Sequence, residues 1–406
     1  MFPRSALLAS MLFVCLGPAA SAQNSSLCPT FNTVLARHGV VGGAIAVVHG
    51  AAPPLTCFYG QARKDTPIDA ATSYNWASIT KTMTAIAILQ LRDRGRLSLD
   101  DPAVRYVPEL RQVHDAFGPI DAVTIRTLLT HSAGFRNPTW PWDCDDSASC
   151  DWQPFEPARW AQVAAMFPYT HVAFAPATRW SYSNLGYVFL GQIIERLSGD
   201  DFEVYCDKNI LKPLGMTQSY FDRSPYFLEP HVSASYLRAG DKLTQQPFNF
   251  DTGITTSNSG LKAPVTDMEK YAQFLLGIFP KGPLNAVVLK RSSLEEAWKG
   301  VLPVADPGQP ATPYTQGAPQ MGLGFFITHI DGHRYVYHDG DQGGFSSEMF
   351  LDPARHVAAI LVVNTTDTGA PPPTPALHPE SNTEPNPATD LRLTLRRELI
   401  DHIFPQ

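Results

Sequence analysis

Apolar positions follow two different spacings along the chain, and these spacings predict the order of its secondary-structure elements. Near the N terminus, residues 31–36 have helical spacing, whereas 43–48 and 55–60 are compact apolar runs typical of strands. Helical spacing then predicts a series of helices at 82–94, 124–130, 158–166, 186–197, 202–210 and 267–276. Strands are predicted again at 324–330, 335–338, 346–351 and 357–364, followed by an amphipathic helix at 391–404.

A block of helices between two strand-rich ends indicates one sheet assembled from both ends of the chain. We therefore predict an α+β fold, in which residues 23–80 and 250–406 form an antiparallel sheet domain flanked by N- and C-terminal helices. Residues 81–249 are predicted to be an inserted all-helical domain. The Pro- and Thr-rich stretch at 366–389 predicts an exposed loop. A site between sheet and insertion would occupy a cleft.

The first residues have the pattern of a secretory signal. Arg4 supplies the positive charge, residues 6–16 an apolar stretch, and Ala20-Ser21-Ala22 a small-residue cleavage site. We therefore predict a signal peptide over residues 1–22. The apolar stretch is too short to span a bilayer, and no later segment is apolar for long enough. The expected location is periplasmic or secreted.

Five cysteines follow the predicted cleavage site, and export permits disulfides. Cys144 and Cys150 bracket an acidic loop and can close it as a short bridge. Cys28 and Cys57 flank the first predicted helix–strand unit and can also pair. Cys206 lies among apolar residues of a predicted helix, which indicates a buried thiol. The odd number leaves the pairing open, and the spacings do not fit a zinc site.

Composition limits the classes of partner. A chain of 406 residues with 44% hydrophobic content can bury a substantial core. The net charge of −7, without a basic cluster, argues against nucleic-acid binding. We expect a monomer that acts on a small-molecule or peptide substrate.

The first candidate chemistry lies at Ser78 and Lys81, three positions apart at the start of a helical run. This spacing puts both side chains on one helix face. A serine hydroxyl needs a proton acceptor before it can act as a nucleophile, and a desolvated lysine can be that acceptor. The motif also occurs by chance, and a second copy stands at Ser259 and Lys262. Ser78 therefore needs partners elsewhere in the chain.

Tyr182 and Asn184 stand in a loop directly before a predicted helix, so Tyr182 can point inward. A phenol near a lysine can shuttle protons, and the Asn184 amide can hold both the lysine and a substrate carbonyl. The alternative is structural: Tyr182 would be a core aromatic and Asn184 the N-cap of the helix at 186–197.

A third candidate is His338-Asp339-Gly340, followed by Asp341, at the end of a predicted strand. The glycine lets a substrate approach the backbone, and the Asp341 N–H can complete an oxyanion hole with the N–H of Ser78. The alternative is an ordinary polar strand end.

Together, the order Ser-x-x-Lys, Tyr-x-Asn, His-x-Gly resembles the serine β-lactamase and penicillin-binding-protein superfamily. The resemblance is closest to the class C β-lactamase-like branch, with its DD-carboxypeptidases, D-aminopeptidases and esterases. It covers roughly residues 31–364 and includes further family-like segments at 95–101, 128–134, 213–216 and 344–347. It places Ser259 in a structural segment and therefore makes Ser78 the nucleophile.

The resemblance implies a β-lactamase/transpeptidase-like fold and an acyl-enzyme mechanism without metal or organic cofactor. Lys81 and Tyr182 would act as a coupled base for Ser78. The N–H groups of Ser78 and Asp341 would hold the oxyanion, and Asn184 would position the lysine and the substrate. His131, by contrast, is expected to be a core histidine beneath the site.

The third motif departs from the family pattern, because β-lactamases and DD-peptidases usually carry Lys-Thr-Gly there. If Asp339 faces the cleft, it should repel a substrate carboxylate; if it points away, nothing follows. We therefore predict an esterase or D-amino-acid peptidase-like hydrolase with weak β-lactamase activity at best. Two alternatives stay open: a true class C-type β-lactamase or DD-carboxypeptidase, and a non-catalytic relative that binds ligands.

Overall fold

The computed structural model describes residues 26–135, 157–246, 252–278, 288–304, 319–367 and 387–405. The helices within these ranges, numbered along the chain, are α1 (Leu27–Arg37), α2 (Thr80–Asp93), α3 (Ile125–Leu129), α4 (Trp160–Ala164), α5 (Asn184–Ser198), α6 (Phe202–Cys206), α7 (Lys212–Leu214), α8 (Thr256–Ser259), α9 (Val265–Leu276), α10 (Arg291–Ala297) and α11 (Pro387–Glu398). Shorter 3₁₀ turns and two π-helical turns, at Asp207–Leu211 and Leu399–Ile403, connect or extend them.

The strands are β1 (Gly42–His49), β2 (Leu55–Arg63), β3 (Thr66–Pro67), β4 (Ser73–Asn75), β5 (Tyr220–Phe221), β6 (Ser235–Ala239), β7 (Lys242–Gln246), β8 (Leu261–Pro264), β9 (Leu302–Pro303), β10 (Gln320–Met321), β11 (Phe326–Ile330), β12 (His333–Gln342), β13 (Phe345–Asp352), β14 (Val357–Val363) and β15 (Thr365–Asp367). Nine of them form one antiparallel sheet in the order β3-β2-β1-β14-β13-β12-β11-β10-β9. Strands from both ends of the chain therefore meet at its centre, where Ile45 pairs with Leu361.

Both faces of this sheet are covered. In β1, Ala44 and Ala46 face a core shared with α2, whereas Ile45 and Val47 face a second core shared with α1 and α11. This arrangement explains why β1 is apolar almost throughout instead of alternating with polar residues. The predicted α+β fold, with an antiparallel sheet and flanking terminal helices, is confirmed.

The segment predicted as an all-helical insertion also contains strands, which corrects that part of the prediction. Strand β5 joins β4 and β8 in a small antiparallel sheet, and β6 and β7 form another small sheet with β15. These strands have two to five residues, too few for a clear alternation of apolar and polar positions.

Two of the three cysteines in the described residues are joined by a disulfide. Cys28 and Cys57 form a disulfide that joins α1 to β2, and Cys206 is a buried free thiol. The predicted signal peptide, as well as Cys144 and Cys150, lies outside the described residues. So does most of the predicted loop at 366–389, although its first residues lie in β15 and its last in α11. None of the described helices is both long and apolar enough to span a bilayer.

Candidate active site

Ser78 lies in a 3₁₀ turn, Ala77–Ile79, that leads directly into α2. Ala77 adopts a left-handed backbone with a φ of 47°, a strained conformation that costs about 1–3 kcal/mol for a residue other than glycine. The Asn75 side-chain oxygen stabilises it by accepting a hydrogen bond from the Ala77 N–H at 2.8 Å. The Trp76 N–H also donates to the Leu261 carbonyl at 2.9 Å. Neighbouring strands thus fix the turn that presents the serine.

Lys81 follows one turn later and is completely buried. Its Nζ lies 3.0 Å from Ser78 Oγ and donates to the backbone carbonyl of Asn258 at 2.9 Å. Burial lowers the pKa of the Lys81 ammonium well below its ordinary value, because a charged amine is poorly solvated there. A neutral lysine in contact with a serine hydroxyl is able to accept its proton.

Aromatic rings enclose the lysine. The centroid of the Tyr182 ring is 4.9 Å from Lys81 Nζ, and that of the buried Tyr187 is 5.6 Å away. The pKa of the Tyr182 phenol is raised, mainly by burial, although its hydrogen bond with the Ser78 side chain acts in the opposite direction. Tyr182 is therefore a protonated phenol near neutral pH, in contact with the serine.

His131 holds the loop before α5 through a buried hydrogen bond. This residue is buried, and its Nδ1 accepts a hydrogen bond from the Ser183 N–H at 3.0 Å. Its pKa is lowered by burial, and the nearby Lys81 and His338 lower it further. The Ser183 hydroxyl caps α5 by accepting from the Gly186 N–H at 3.1 Å, so the cap is not Asn184. Asn184 is the first residue of α5, two positions after Tyr182.

Strand β12 brings the third motif, His338-Asp339-Gly340, against the turn that carries Ser78. A Cβ atom added to Gly340 would lie 3.1 Å from Ser78 N and only 2.4 Å from the Trp76 carbonyl oxygen, so no larger residue fits. The Ser347 hydroxyl, opposite Gly340 on β13, donates to the same Trp76 carbonyl at 3.1 Å. The glycine therefore allows strand β12 and the turn that carries Ser78 to come into contact.

His338 lies two residues before Gly340 and shares its face of β12. The side chain is buried, and its Nδ1 lies 2.7 Å from the Asp339 carbonyl oxygen. Because a carbonyl only accepts, Nδ1 carries the proton and the neutral ring leaves Nε2 as an acceptor. Burial, reinforced by the charge of Lys81, lowers the pKa of His338 to about 3. The His338 side chain therefore carries no positive charge at neutral pH.

Asp339 and Asp341 point to the opposite face of β12, toward α11. The Asp339 carboxylate lies 3.5 Å from Arg396, and the two Asp341 oxygens each lie 2.9 Å from Arg392 Nη1. Asp339 therefore does not face the cleft, and the expected repulsion of a substrate carboxylate loses its basis. Of the predicted third-motif residues, Gly340 is against Ser78 and His338 lies on the same strand face, whereas the side chains of both aspartates lie elsewhere.

Several contacts were not anticipated from the sequence. The Asn258 carbonyl accepts a hydrogen bond from Lys81. Asn258 directly precedes Ser259, the first residue of the second Ser-x-x-Lys motif. Tyr187 contacts the lysine from α5, and its hydroxyl donates to the Leu129 carbonyl at 2.9 Å. A backbone carbonyl has no sequence signature, and a tyrosine in a helix is usually a core residue. Only the Tyr-x-Asn spacing pointed to this region.

The chain is similar in sequence to a family model and to curated proteins. The family model for Beta-lactamase matches residues 29–378. Protein flp from Staphylococcus aureus (strain COL) is 25% identical over 334 residues, which are 81% of this chain and 61% of flp. The chain thus spans about three fifths of the length of that curated relative.

Solved structures with a similar fold include proteins of two descriptions. The octameric penicillin-binding protein homologue from Pyrococcus abyssi has a TM-score of 0.71 at 26% identity, covering 87% of this chain and 74% of its own. A class C beta-lactamase also has a TM-score of 0.71, at 18% identity, covering 96% of this chain and 98% of its own. At 18% identity, the similarity to the class C beta-lactamase shows a shared fold.

Proposed function

Since the chain belongs to the Beta-lactamase family, we propose that it is a serine hydrolase that cleaves an ester or amide through an acyl-enzyme on Ser78. The contact between Ser78 Oγ and the Nζ of Lys81, a buried amine whose pKa is lowered by burial, carries this proposal. It supplies a nucleophile and its proton acceptor within one hydrogen bond, the arrangement that activates serine.

In the first step, Ser78 Oγ forms a bond to the substrate carbonyl carbon while its proton passes to Lys81 Nζ. The N–H groups of Ser78 and Asp341 are proposed to stabilise the oxyanion, because Gly340 brings β12 against the nucleophile turn. Collapse of the intermediate breaks the bond to the leaving group, which takes a proton from Tyr182, and Lys81 restores that proton. Water then attacks the acyl-enzyme and releases the acid, regenerating Ser78. Asn184 is proposed to orient the lysine and the substrate carbonyl.

The absence of a cation at His338 supports a substrate without a recognition carboxylate. A lysine at this position would offer a charge-assisted hydrogen bond to a carboxylate, whereas neutral His338 offers Nε2 as an acceptor. We therefore propose esterase or D-amino-acid peptidase-like activity on neutral or amine-bearing substrates, with weak β-lactamase activity at best. This preference follows from the missing cation at His338, because the Asp339 carboxylate faces Arg396.

Export also remains part of the proposal. The Cys28–Cys57 disulfide supports a periplasmic or secreted location, because such bonds persist in oxidising compartments. The monomeric state remains a prediction, since the Pyrococcus abyssi homologue is described as octameric.

Covalent labelling tests the nucleophile. A fluorophosphonate should label the wild-type protein at Ser78, and Ser78→Ala should abolish both labelling and hydrolysis. Ser259→Ala is the matched control, because it alters the second Ser-x-x-Lys copy and should leave Ser78 as the labelled residue. A wild-type protein that resists labelling, or a label on another residue, would contradict the proposal.

The substrate class needs a separate panel. p-Nitrophenyl esters, D-amino-acid amides, D-Ala-D-Ala peptides and nitrocefin should be compared by kcat/KM, with Ser78→Ala as the blank. Esters or amine-bearing amides are expected to be turned over fastest. Nitrocefin turnover at the level of a dedicated β-lactamase would instead identify a true β-lactamase.

A further inference from the structure

The carbonyl that contacts Lys81 belongs to a short turn packed between two helices. Residues 252–259 form a 3₁₀ turn followed by α8, and Asn258 O accepts from Lys81 Nζ. On the α2 side, the Thr84 hydroxyl donates to the Ser257 carbonyl at 2.6 Å. On the α5 side, the Ser257 hydroxyl donates to the Tyr187 carbonyl at 2.9 Å. The turn is therefore part of the scaffold that surrounds the lysine.

A single carboxylate caps the start of this turn. Asp222 Oδ1 accepts from the Thr252 N–H at 3.2 Å, from the Thr252 hydroxyl, and from the Thr256 hydroxyl at 2.5 Å. Both threonines are buried, so their hydroxyl groups have little access to water. Losing the carboxylate would remove the acceptor of the Thr252 N–H and one acceptor of each hydroxyl, and an unpaired buried donor is costly.

Asp222 is itself held in place from two sides. Its backbone has a left-handed φ of 58°, which is unusual for a residue other than glycine. Its carbonyl accepts a hydrogen bond from the buried Lys262 ammonium, the lysine of the second Ser-x-x-Lys motif. Its carboxylate is also hydrogen-bonded to the side chain of Glu203 on α6. Two carboxyl groups can share a hydrogen bond only when one is protonated.

We propose that Asp222 and Glu203 are positioning residues for Lys81, holding the 252–259 turn so that the Asn258 carbonyl orients the lysine toward Ser78. The inference rests on the proposed function, because it gives Lys81 the role of proton acceptor. The positioning effect would pass through direct contacts from Glu203 to Asp222, from Asp222 to Thr256, and from α8 to Lys81. Displacing a catalytic group by about 1 Å can reduce the rate by about 100-fold.

The proton on Glu203 makes this arrangement pH-dependent. Burial raises the pKa of Glu203 to about 8, and the neighbouring carboxylates of Asp222 and Glu195 act in the same direction. Lys262 is the cation on the other side of Asp222. The shared hydrogen bond is therefore present below about pH 8 and is lost above it, when two carboxylates face each other. Acylation should slow over the same range.

The experiment compares the acylation rate of Ser78 by a p-nitrophenyl ester across pH 6 to 10 in four variants. Asp222→Ala should lower the acylation rate constant about 10-fold or more with little change in KM. Asp222→Asn keeps an acceptor oxygen for the threonines and should restore most of the rate. Glu203→Gln, a permanent donor to Asp222, should remove the rate decrease above about pH 8. Asp241→Asn, an exposed aspartate in the β6–β7 turn, is the matched control and should resemble wild type.

Wild-type acylation rates at neutral pH in both Asp222→Ala and Asp222→Asn would overturn the inference. An unchanged alkaline decrease in Glu203→Gln would also overturn it, and this variant decides the matter if Asp222→Ala does not fold. Absence of acylation in the wild-type protein would instead contradict the proposed function, so the two failures are distinguishable.

Discussion

At the scale of single residues, two positions of β12, His338 and Gly340, define the surroundings of Ser78. His338 is neutral because it is buried near Lys81, so the third motif lacks the cation found in the Lys-Thr-Gly pattern. Gly340 has no side chain where the strand meets the nucleophile turn. In the proposed function, His338 therefore bears on substrate choice and Gly340 on the geometry of the oxyanion hole.

Introducing a cation at His338 should change substrate preference. We expect His338→Lys to lower the KM of carboxylate-bearing substrates such as nitrocefin about tenfold, because a charge-assisted hydrogen bond contributes about 1.5–3 kcal/mol. Asp339→Thr, at the adjacent position, should leave this KM unchanged because its side chain faces α11. A lower KM in Asp339→Thr alone would show that the aspartate acts on the substrate after all.

Adding one methyl group at Gly340 should impair the site. In Gly340→Ala the new Cβ would overlap the Trp76 carbonyl and the Ser347 hydroxyl, so β12 must move away from Ser78. We expect the acylation rate constant to fall about 100-fold, as for the loss of one oxyanion-hole donor. Burst kinetics with a p-nitrophenyl ester would measure it. Gly332→Ala, in an open turn, tests whether any added methyl group has this effect, although its positive φ adds some strain.

At the scale of elements, α11 is fastened to β12 and β13 directly behind the site. Arg392 contacts Asp341 and the Ser346 hydroxyl at 2.9 Å. Arg396 Nε donates to the buried Glu348 at 2.7 Å, and its guanidinium lies 4.7 Å from the centroids of the Tyr337 and Phe350 rings. The acidic residues of the third motif are thus explained by their ion pairs with this helix.

Breaking one of these ion pairs should destabilise the helix–strand contact. Arg392→Met is expected to lower the free energy of unfolding by about 3 kcal/mol, because the buried guanidinium is lost while its polar partners remain. Asp341→Asn should also destabilise the protein, because it leaves the buried Arg392 guanidinium without the charge of this partner. Urea unfolding of both variants and of the double variant would give the coupling energy. A coupling energy near zero would show that the pair contributes nothing.

At the scale of the whole molecule, the central sheet depends on contacts between distant parts of the chain. Strand β1 pairs with β14, more than 300 residues later, and α1 packs in the same core as α11. The disulfide from Cys28 to Cys57 fixes α1 to the sheet on the face opposite the proposed site. The disulfide and the proposed active site therefore lie on opposite faces of the sheet.

Removing this disulfide should reduce stability without impairing catalysis. Cys28 and Cys57 are 29 residues apart, a loop for which closure entropy predicts about 3–4 kcal/mol of stabilisation. The double variant Cys28→Ser/Cys57→Ser should lose about this amount in urea unfolding and keep its kcat. Dithiothreitol should destabilise the wild type but not the variant. A large loss of kcat in the folded variant would contradict the separation.

The sequence was most informative where chemistry and local geometry coincide. Ser78 and Lys81 are three residues apart at a helix start, so their proximity follows from the helix itself. The longer helices and strands were also predictable from their apolar spacing, within a few residues at the ends. The short strands β4, β5 and β8 were not, because each pairs with a strand at least forty residues away.

By itself, the sequence determined the α+β class, the family resemblance and the proximity of Ser78 and Lys81, since these depend on local periodicity and on motif order. The tertiary structure alone decided that Asp339 and Asp341 face α11, that Asn258 contacts Lys81, and that Asp222 caps the turn beneath it. The physical reason is that adjacent strand residues face opposite sides, and which side is the cleft depends on packing. Contacts made by backbone carbonyls likewise arise only when distant segments are brought together.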